Sequence, residues 1–377
     1  MKIKIVIAPD SFKGSISAFE AASAIEKGIK KSFPAAKTIT VPLADGGEGT
    51  MDTLVAATNG KKTAVTVTGP LGKPVEAFYG ILGDEKTCVI EIASASGLDL
   101  VPEKERNPLI TTTYGTGELI KSALSEGFRS FIVALGGSAT NDGGAGMLQA
   151  LGIKILDKEK KEIGFGGGKL NQVHKISLEN FDPRIKESHF AIASDVENPL
   201  VGKSGASFVF GPQKGATEET AQILDQNMTH WANKVKEIMG VKLHNMPGAG
   251  AAGGLGGAFQ AFFPSVMEKG AEVVMKYTRL KEQLAGADLL ITGEGQADFQ
   301  TAFGKTPMRA AQAAKNMGVP TIIIAGSVGK DIERLYQFGV VSVHSIMTRP
   351  MTLAEAMESA PELLEHTAEQ VCRTFFK

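Results

Sequence analysis

The chain repeatedly ends a short apolar run in a polar, glycine-rich loop, and this alternation limits its fold more than any other feature. Residues 3–8 run into Pro9-Asp10-Ser11-Phe12-Lys13-Gly14, and residues 38–43 into Ala44-Asp45-Gly46-Gly47-Glu48-Gly49-Thr50. Residues 131–135 run into Gly136-Gly137-Ser138-Ala139-Thr140-Asn141-Asp142-Gly143-Gly144, where a helical pattern with Met147, Leu148 and Leu151 on one face takes over. The same change occurs at Ser194-Asp195-Val196-Glu197-Asn198-Pro199, at Gly293-Glu294-Gly295-Gln296-Ala297-Asp298 and at Gly326-Ser327-Val328-Gly329-Lys330. Helical periodicity lies between many of these runs, at residues 17–31, 116–126, 218–239, 305–317 and 353–375. Alternating strands and helices predict parallel sheets covered by helices on both faces, with ligands at the carboxyl ends of the strands.

Residues 63–93 depart from that rhythm. An alternating run, a Gly69-Pro70-Leu71-Gly72 turn, a returning run and a third run at 88–93 predict an antiparallel meander. A chain of 377 residues exceeds the usual size of one core. The expected architecture is therefore two α/β domains with the active site in the cleft between them. Residues 1–60 and 285–377 form a doubly wound, Rossmann-like parallel domain. Residues 61–284 form an inserted α/β domain with some antiparallel strands.

Charge is balanced, with 40 basic and 41 acidic residues, so no global field favours nucleic acid or an anionic membrane. Many glycines (44) and few aromatics (6%) suit tight strand-to-helix turns rather than base stacking. Two distant cysteines, Cys88 and Cys372, exclude a disulfide framework within the chain. No signal peptide or membrane-length apolar run is present, so the expected location is cytoplasmic.

Several motifs fail on their spacing. Gly304-Lys305-Thr306 and Gly202-Lys203-Ser204 match the end of a P-loop, but Phe299 and Glu197 stand where its first glycine belongs. Gly248-Ala249-Gly250-Ala251-Ala252-Gly253 fits a dinucleotide pattern, yet Met246-Pro247 precede it where a strand should end. No histidine pair has zinc spacing, and neither H-R-D nor D-F-G occurs.

What remains is a set of carboxylates beside glycines and small hydroxyls: Asp10, Asp45, Glu48, Asp142, Asp195, Glu294 and Asp298, with Lys13, Lys214 and Lys305 nearby. A strand entering a glycine-rich turn and a helix gathers backbone N–H groups that suit an anion. Carboxylates there suit Mg²⁺, which takes one or two of them plus phosphate oxygens. Phosphoryl transfer needs this inventory. Plainer roles fit the same residues: Asp45 and Asp142 as turn or cap residues, Lys305 on a solvated helix start, and Trp231 and Tyr277 as packing.

The motifs resemble those of the bacterial-type glycerate kinases, which use neither a P-loop nor the protein-kinase fold. The resembling stretches begin with Ala8-Pro9-Asp10-Ser11-Phe12-Lys13-Gly14-Ser15, Ala44-Asp45-Gly46-Gly47-Glu48-Gly49-Thr50 and Thr113-Tyr114-Gly115-Thr116-Gly117-Glu118. They continue through residues 136–144, Asp195-Val196-Glu197-Asn198-Pro199, Phe210-Gly211-Pro212-Gln213-Lys214-Gly215, residues 247–254, Thr292-Gly293-Glu294-Gly295 and Gln300-Thr301-Ala302-Phe303-Gly304-Lys305. They keep the family's order over nearly the whole chain. Gln296 and Arg309 depart from it, where a basic and a small residue are commoner.

The resemblance implies transfer of the γ-phosphoryl group of ATP to D-glycerate with Mg²⁺, 2-phosphoglycerate being favoured over 3-phosphoglycerate. In the expected mechanism Gly46, Gly47, Gly136, Gly137, Ser138, Thr140, Asn141 and Gly293 contact the nucleotide. Asp10, Ser11, Asn198 and Asp298 hold the substrate. Asp45, Glu48, Asp142 and Glu294 hold Mg²⁺ or its waters. Lys13 and Lys305 steady phosphate or carboxylate, and Asp195 positions the acceptor hydroxyl. The alternatives are a kinase for another small hydroxy acid or sugar acid, a non-enzymatic sensor of a phosphorylated metabolite, and a nicotinamide dehydrogenase resting on residues 248–253. Oligomeric state is not read from the sequence.

Overall fold

Alternation along single strands decides how the sheets are covered. In Thr321–Val328, Ile322 and Ile324 join one buried cluster while Ile323 and Ala325 join another. Successive side chains of a strand point to opposite faces, so this sheet is buried on both. The structure is a computed structural model that describes residues 3–299 and 301–376. Met1 and Lys2, in the predicted first strand, and Gln300, in a resembling stretch, lie outside the described residues.

The chain divides into two units, one of Met1–Asp45, Asp52–Ala57 and Ala271–Lys377, the other of Gly46–Met51 and Thr58–Gly270. Unit one holds a five-stranded sheet in the order Val340–Ser345, Thr321–Val328, Leu289–Ala297, Lys4–Ile7, Lys37–Thr40. Every neighbouring pair is parallel. The chain leaves Lys4–Ile7 for one neighbour and later returns on its other side at Leu289–Ala297, which makes the gap between these strands the topological switch point. On one face, helix Ala18–Ser32 packs against helix Ala360–Phe375. On the other, helix Thr306–Lys315 covers Leu289–Ala297 and Thr321–Val328.

Local chemistry sets the helix ends. Ser17 and Glu20 form a capping box at the start of Ala18–Ser32, and Thr352 and Glu355 form another at Leu353–Glu358. The helical pattern over residues 353–375 is two helices, Leu353–Glu358 and Ala360–Phe375. Pro361 lies in the first turn of the second; it has no N–H for a bond back to the preceding turn, so the ladder breaks while the apolar period continues. The polar stretches after residues 292 and 325 also differ from the expected loops. Strands Leu289–Ala297 and Thr321–Val328 run on through them, pairing Glu294 with Ala325 and Gln296 with Ser327. Gly293 permits this, because a Cβ there would collide with the Ile324 carbonyl.

Unit two has a six-stranded sheet in the order Ser265–Glu268, His189–Ala193, Ser130–Ala134, Thr87–Glu91, Pro74–Ile81, Lys61–Thr68. The first four strands are parallel, and the last three form the predicted meander, whose final strand joins the parallel set. Phe131 and Phe190 stack across adjacent strands at 4.7 Å, and Trp231 is fully buried in the same core. Both cysteines are buried free thiols. No helix among the described residues is long and apolar enough to cross a membrane.

Candidate active site

Unit one gathers its charged residues at the switch point. The Asp10 amide donates to the Gly293 carbonyl at 2.8 Å, joining the loop after Lys4–Ile7 to the middle of Leu289–Ala297. A cavity of about 670 Å³ opens here, and Asp10, Ser11, Lys13, Asp45, Glu294 and Lys305 all line it. The Lys13 ammonium donates to Asp45 Oδ2 at 3.2 Å. Glu294 accepts from Thr301 Oγ1 at 2.6 Å and from Lys305 Nζ at 3.3 Å. Gln296 Nε2 donates to Asp298 Oδ2 at 3.3 Å, so the departure at position 296 leaves the side chain bound to the nearby carboxylate.

The electrostatics of this cluster follow from burial. Asp10 is pushed up to about 7, chiefly by loss of solvent and then by the Asp45 charge, against opposing help from Thr306, the Ser11 amide and Lys13. Burial also raises Glu294, opposed by Thr301 and Lys305. The Asp45 carboxylate raises Lys13. A buried carboxyl whose ionisation is opposed by burial and by a neighbouring carboxylate marks a place where a bound cation fits. Among the described residues no three His, Cys, Asp or Glu side chains are grouped to hold a metal by themselves. Mg²⁺ would therefore need oxygens from a bound phosphate, which is its usual habit.

Unit two uses its polar residues differently. The Gly136 amide donates to the Gly46 carbonyl at 3.1 Å, and a Cβ on Gly136 would collide with Gly47 Cα. These two glycine loops therefore touch through backbone, and Gly46 lies close to the end of strand His189–Ala193 as well. Asp195 follows two residues after that strand, with both carboxylate oxygens shielded from solvent. Asn198 donates to the Ser204 carbonyl of its own loop at 2.9 Å, and Glu48 is exposed.

Asp142 is fully committed to its surroundings. Its Oδ2 accepts from the Thr113 amide and hydroxyl, both at 2.9 Å, and from the Gly146 amide at 3.3 Å. Its Oδ1 accepts from the Gly144 amide at 3.1 Å, the turn bond expected of an Asp in such a loop. It is 1% exposed, and burial raises its pKa against those bonds. The metal role expected for Asp142 does not fit this geometry: the carboxylate braces a loop.

Beneath that loop lies Lys214, which is 2% exposed. Its ammonium donates to Ser138 Oγ at 2.8 Å and to the Thr140 carbonyl at 2.6 Å. Burial lowers it to about 7, with the Asp142 charge acting the other way. Asn141 Nδ2 donates to Ser207 Oγ at 2.9 Å, while Thr140 Oγ1 and Asn141 Oδ1 are buried without a hydrogen-bond partner among the described residues.

Two contributors carried little sequence signal. Glu91 ends a buried strand and accepts from the Gly49 and Met51 amides, at 3.2 and 3.1 Å, anchoring the Gly46-Gly47 turn. Its only mark was one carboxylate at the end of an apolar run. Lys214 showed as a lysine near glycines, with nothing to say that it would be buried. The dinucleotide-like segment packs against the loop that carries Asp142: the Gly143 amide donates to the Gly253 carbonyl at 3.0 Å, and Ala251–Gly254 is an irregular short helix rather than the helix that follows a strand.

The comparisons with known proteins agree with one another. The sequence pattern of the glycerate kinase family matches residues 5–376. A glycerate kinase of Halalkalibacterium halodurans is 50% identical over 97% of each chain. The glycerate 2-kinase of Escherichia coli is 49% identical over 99% of this chain and 98% of its own. A crystal structure from Salmonella typhimurium, provisionally named glycerate kinase 2, superposes with a TM-score of 0.86 at 46% identity, covering 100% of this chain and 99% of its own.

Proposed function

The chain belongs to the glycerate kinase family, and we propose that it transfers the γ-phosphoryl group of ATP to D-glycerate, with Mg²⁺, to give 2-phosphoglycerate. Membership makes it an enzyme, a kinase, so the sensor and dehydrogenase alternatives fall away. The observation that carries the reading is the full-length identity of about half to glycerate kinases, joined to a switch-point cavity lined by carboxylates and lysines. The preference for the 2-phosphate rests on the name of the Escherichia coli relative. A kinase for a different small hydroxy acid or sugar acid is the remaining alternative. A cytoplasmic location belongs to the same proposal.

In this reading the acceptor hydroxyl oxygen bonds to the γ-phosphorus, the bond from phosphorus to the ADP oxygen breaks, and the hydroxyl proton passes to Asp195. Lys13 and Lys305 offset charge on phosphate or carboxylate. Amides at Gly47, Gly46, Gly137 and Asn141, with the Ser138 and Thr140 hydroxyls and Gly293, line the phosphate path, and the Gly136 amide braces it through its bond to the Gly46 carbonyl. Asp10, Ser11, Asn198 and Asp298 hold the acid. Bound Mg²⁺ would supply further charge neutralisation, with Asp45, Glu294 and Glu48 as its candidate protein contacts.

Phosphorus NMR of the product from ATP, Mg²⁺ and D-glycerate tests activity and regiochemistry together. The expected result is ADP with 2-phosphoglycerate. A 3-phosphoglycerate signal would overturn the regiochemistry, and no turnover with glycerate beside turnover of another acid would overturn the substrate.

A further inference from the structure

The unit-one cavity is larger than a small acid alone needs, and away from Asp10 and Ser11 its surface is the wrong one for an acid. Glycerate is polar throughout, whereas one side of this 670 Å³ space is built from Ile346, Met347, Met351, Leu353 and Met357. A volume in this range suits a nucleoside, and ligand sites of that class pair an apolar wall with a few placed polar groups. Resting on the reading of the chain as an ATP-dependent kinase, we propose that this cavity binds the nucleoside of the phosphoryl donor. The base lies against the methionine wall, and the phosphates point toward Lys13, Lys305 and the start of helix Thr306–Lys315.

Further observations support the assignment. The wall is open to water where a folded core would close it: Leu353 is 77% exposed and Met347 36%. Thioethers and branched aliphatic groups there offer a polarizable face to a flat aromatic ring. The wall is also fixed to the phosphate end, since Ser15 Oγ donates to the Met357 carbonyl at 2.7 Å and holds Leu353–Glu358 against the loop after the first strand.

At that end, helix Thr306–Lys315 starts without a side-chain cap. Thr306 Oγ1 is buried, lies by the Asp10 carboxyl, and has no partner in hydrogen-bond geometry among the described residues. An uncapped helix start with a spare buried hydroxyl, beside two lysines, suits a phosphate chain. The placement at the β-sheet switch point is the one that open parallel sheets favour for nucleotides.

A wall with few hydrogen-bonding groups holds a base by area rather than by its edge. The cavity should therefore accept adenine and guanine nucleotides with affinities within about tenfold of each other, since a hydrophobic surface discriminates weakly.

Photolabelling of the full chain with 8-azido-ATP, followed by peptide mapping, tests the assignment on unaltered protein. Label is expected between residues 346 and 360, and label confined to residues 46–270 would overturn it. Titration with a fluorescent ADP analogue adds a second readout. The double variant Met347→Asp, Leu353→Asp should lose at least about tenfold in affinity, because it sets charge against the base. Unchanged affinity, or no nucleotide binding by the wild type, would also overturn the proposal. A protein that takes label at 346–360 yet makes no phosphoglycerate supports this site and refutes glycerate as substrate. One that makes phosphoglycerate but takes label elsewhere does the reverse.

Discussion

The loop after Lys4–Ile7 and the loop after Ser130–Ala134 look alike as sequence and do opposite things with their carboxylates. Asp10 lines a cavity, and its pKa is pushed up to about 7 by burial and by the neighbouring Asp45. Asp142 is buried and accepts four hydrogen bonds from its own loop and from Thr113. The difference lies in backbone geometry. Gly143 and Gly144 both adopt positive φ, at 61° and 77°, and this tight reversal brings amides to the carboxylate. Among the described residues, the one backbone amide that Asp10 accepts is that of its neighbour Ser11, at 2.7 Å. A strand-end position makes a carboxylate available; the number of amides the loop must satisfy decides whether a ligand can have it.

The sharpest way to break this contrast is to remove one negative charge from each kind of place. Asp195→Asn keeps shape and loses the proposed proton acceptor, so kcat should fall by about 10²–10⁴-fold with stability little changed. Steady-state kinetics with ATP and glycerate decide it, and near-wild-type kcat removes Asp195 from the chemistry. Asp142→Asn should instead act on stability, by about 2 kcal/mol, because the amide group turns N–H toward backbone donors that need an acceptor. Urea unfolding measures it. A loss of kcat at unchanged stability would restore Asp142 as a functional carboxylate.

A smaller effect tests Lys214 on the braced side. Its folded pKa of about 7 lies below its ordinary value, so the folded chain binds fewer protons than the unfolded chain above pH 7. Wild-type stability therefore gains a contribution as pH rises through 7. Lys214→Met lacks it, and the stability difference between the two should shift in favour of wild type by about 1 kcal/mol from pH 6 to pH 8. Urea unfolding at both values checks this, and a constant difference would mean that the ammonium stays charged when folded.

Much of this contrast could be read from the sequence, and the rest could not, for a physical reason. Helical patterns are local, so the helix read at 218–239 matches Glu218–Met239 residue for residue. The gathering of Asp10, Asp45, Glu294 and Lys305 follows from a parallel sheet, which places the carboxyl ends of its strands on one edge. By contrast, the service of Asp142 to Thr113 spans 29 positions, and the reach of Lys214 to Ser138 spans 76. Such pairings depend on how loops close over a core, and no periodicity encodes them. The continuation of Leu289–Ala297 past Gly293 was hidden because the glycine that reads as a loop signal also permits close pairing with Ile324.

The smallest expected effect separates the two sides most cleanly. Lys305 pairs with Glu294 at 3.3 Å, but its side chain is 40% exposed, so water competes for both charges. A pair of that kind contributes about 0–1 kcal/mol to folding. Lys305→Ala should accordingly leave the unfolding midpoint nearly unchanged, while KM for ATP rises about tenfold through the loss of one phosphate contact, worth about 1.4 kcal/mol. Glu294 would lose a group that favours its charged form, so its pKa should rise further. The ratio of the two effects carries the argument. If unfolding shifts by more than about 1 kcal/mol and KM does not move, Lys305 and Glu294 form a brace like Asp142, and the cavity side loses its distinction. If KM moves alone, the charges at the switch point are held ready for a ligand, and the folded structure gains little from them until one is bound.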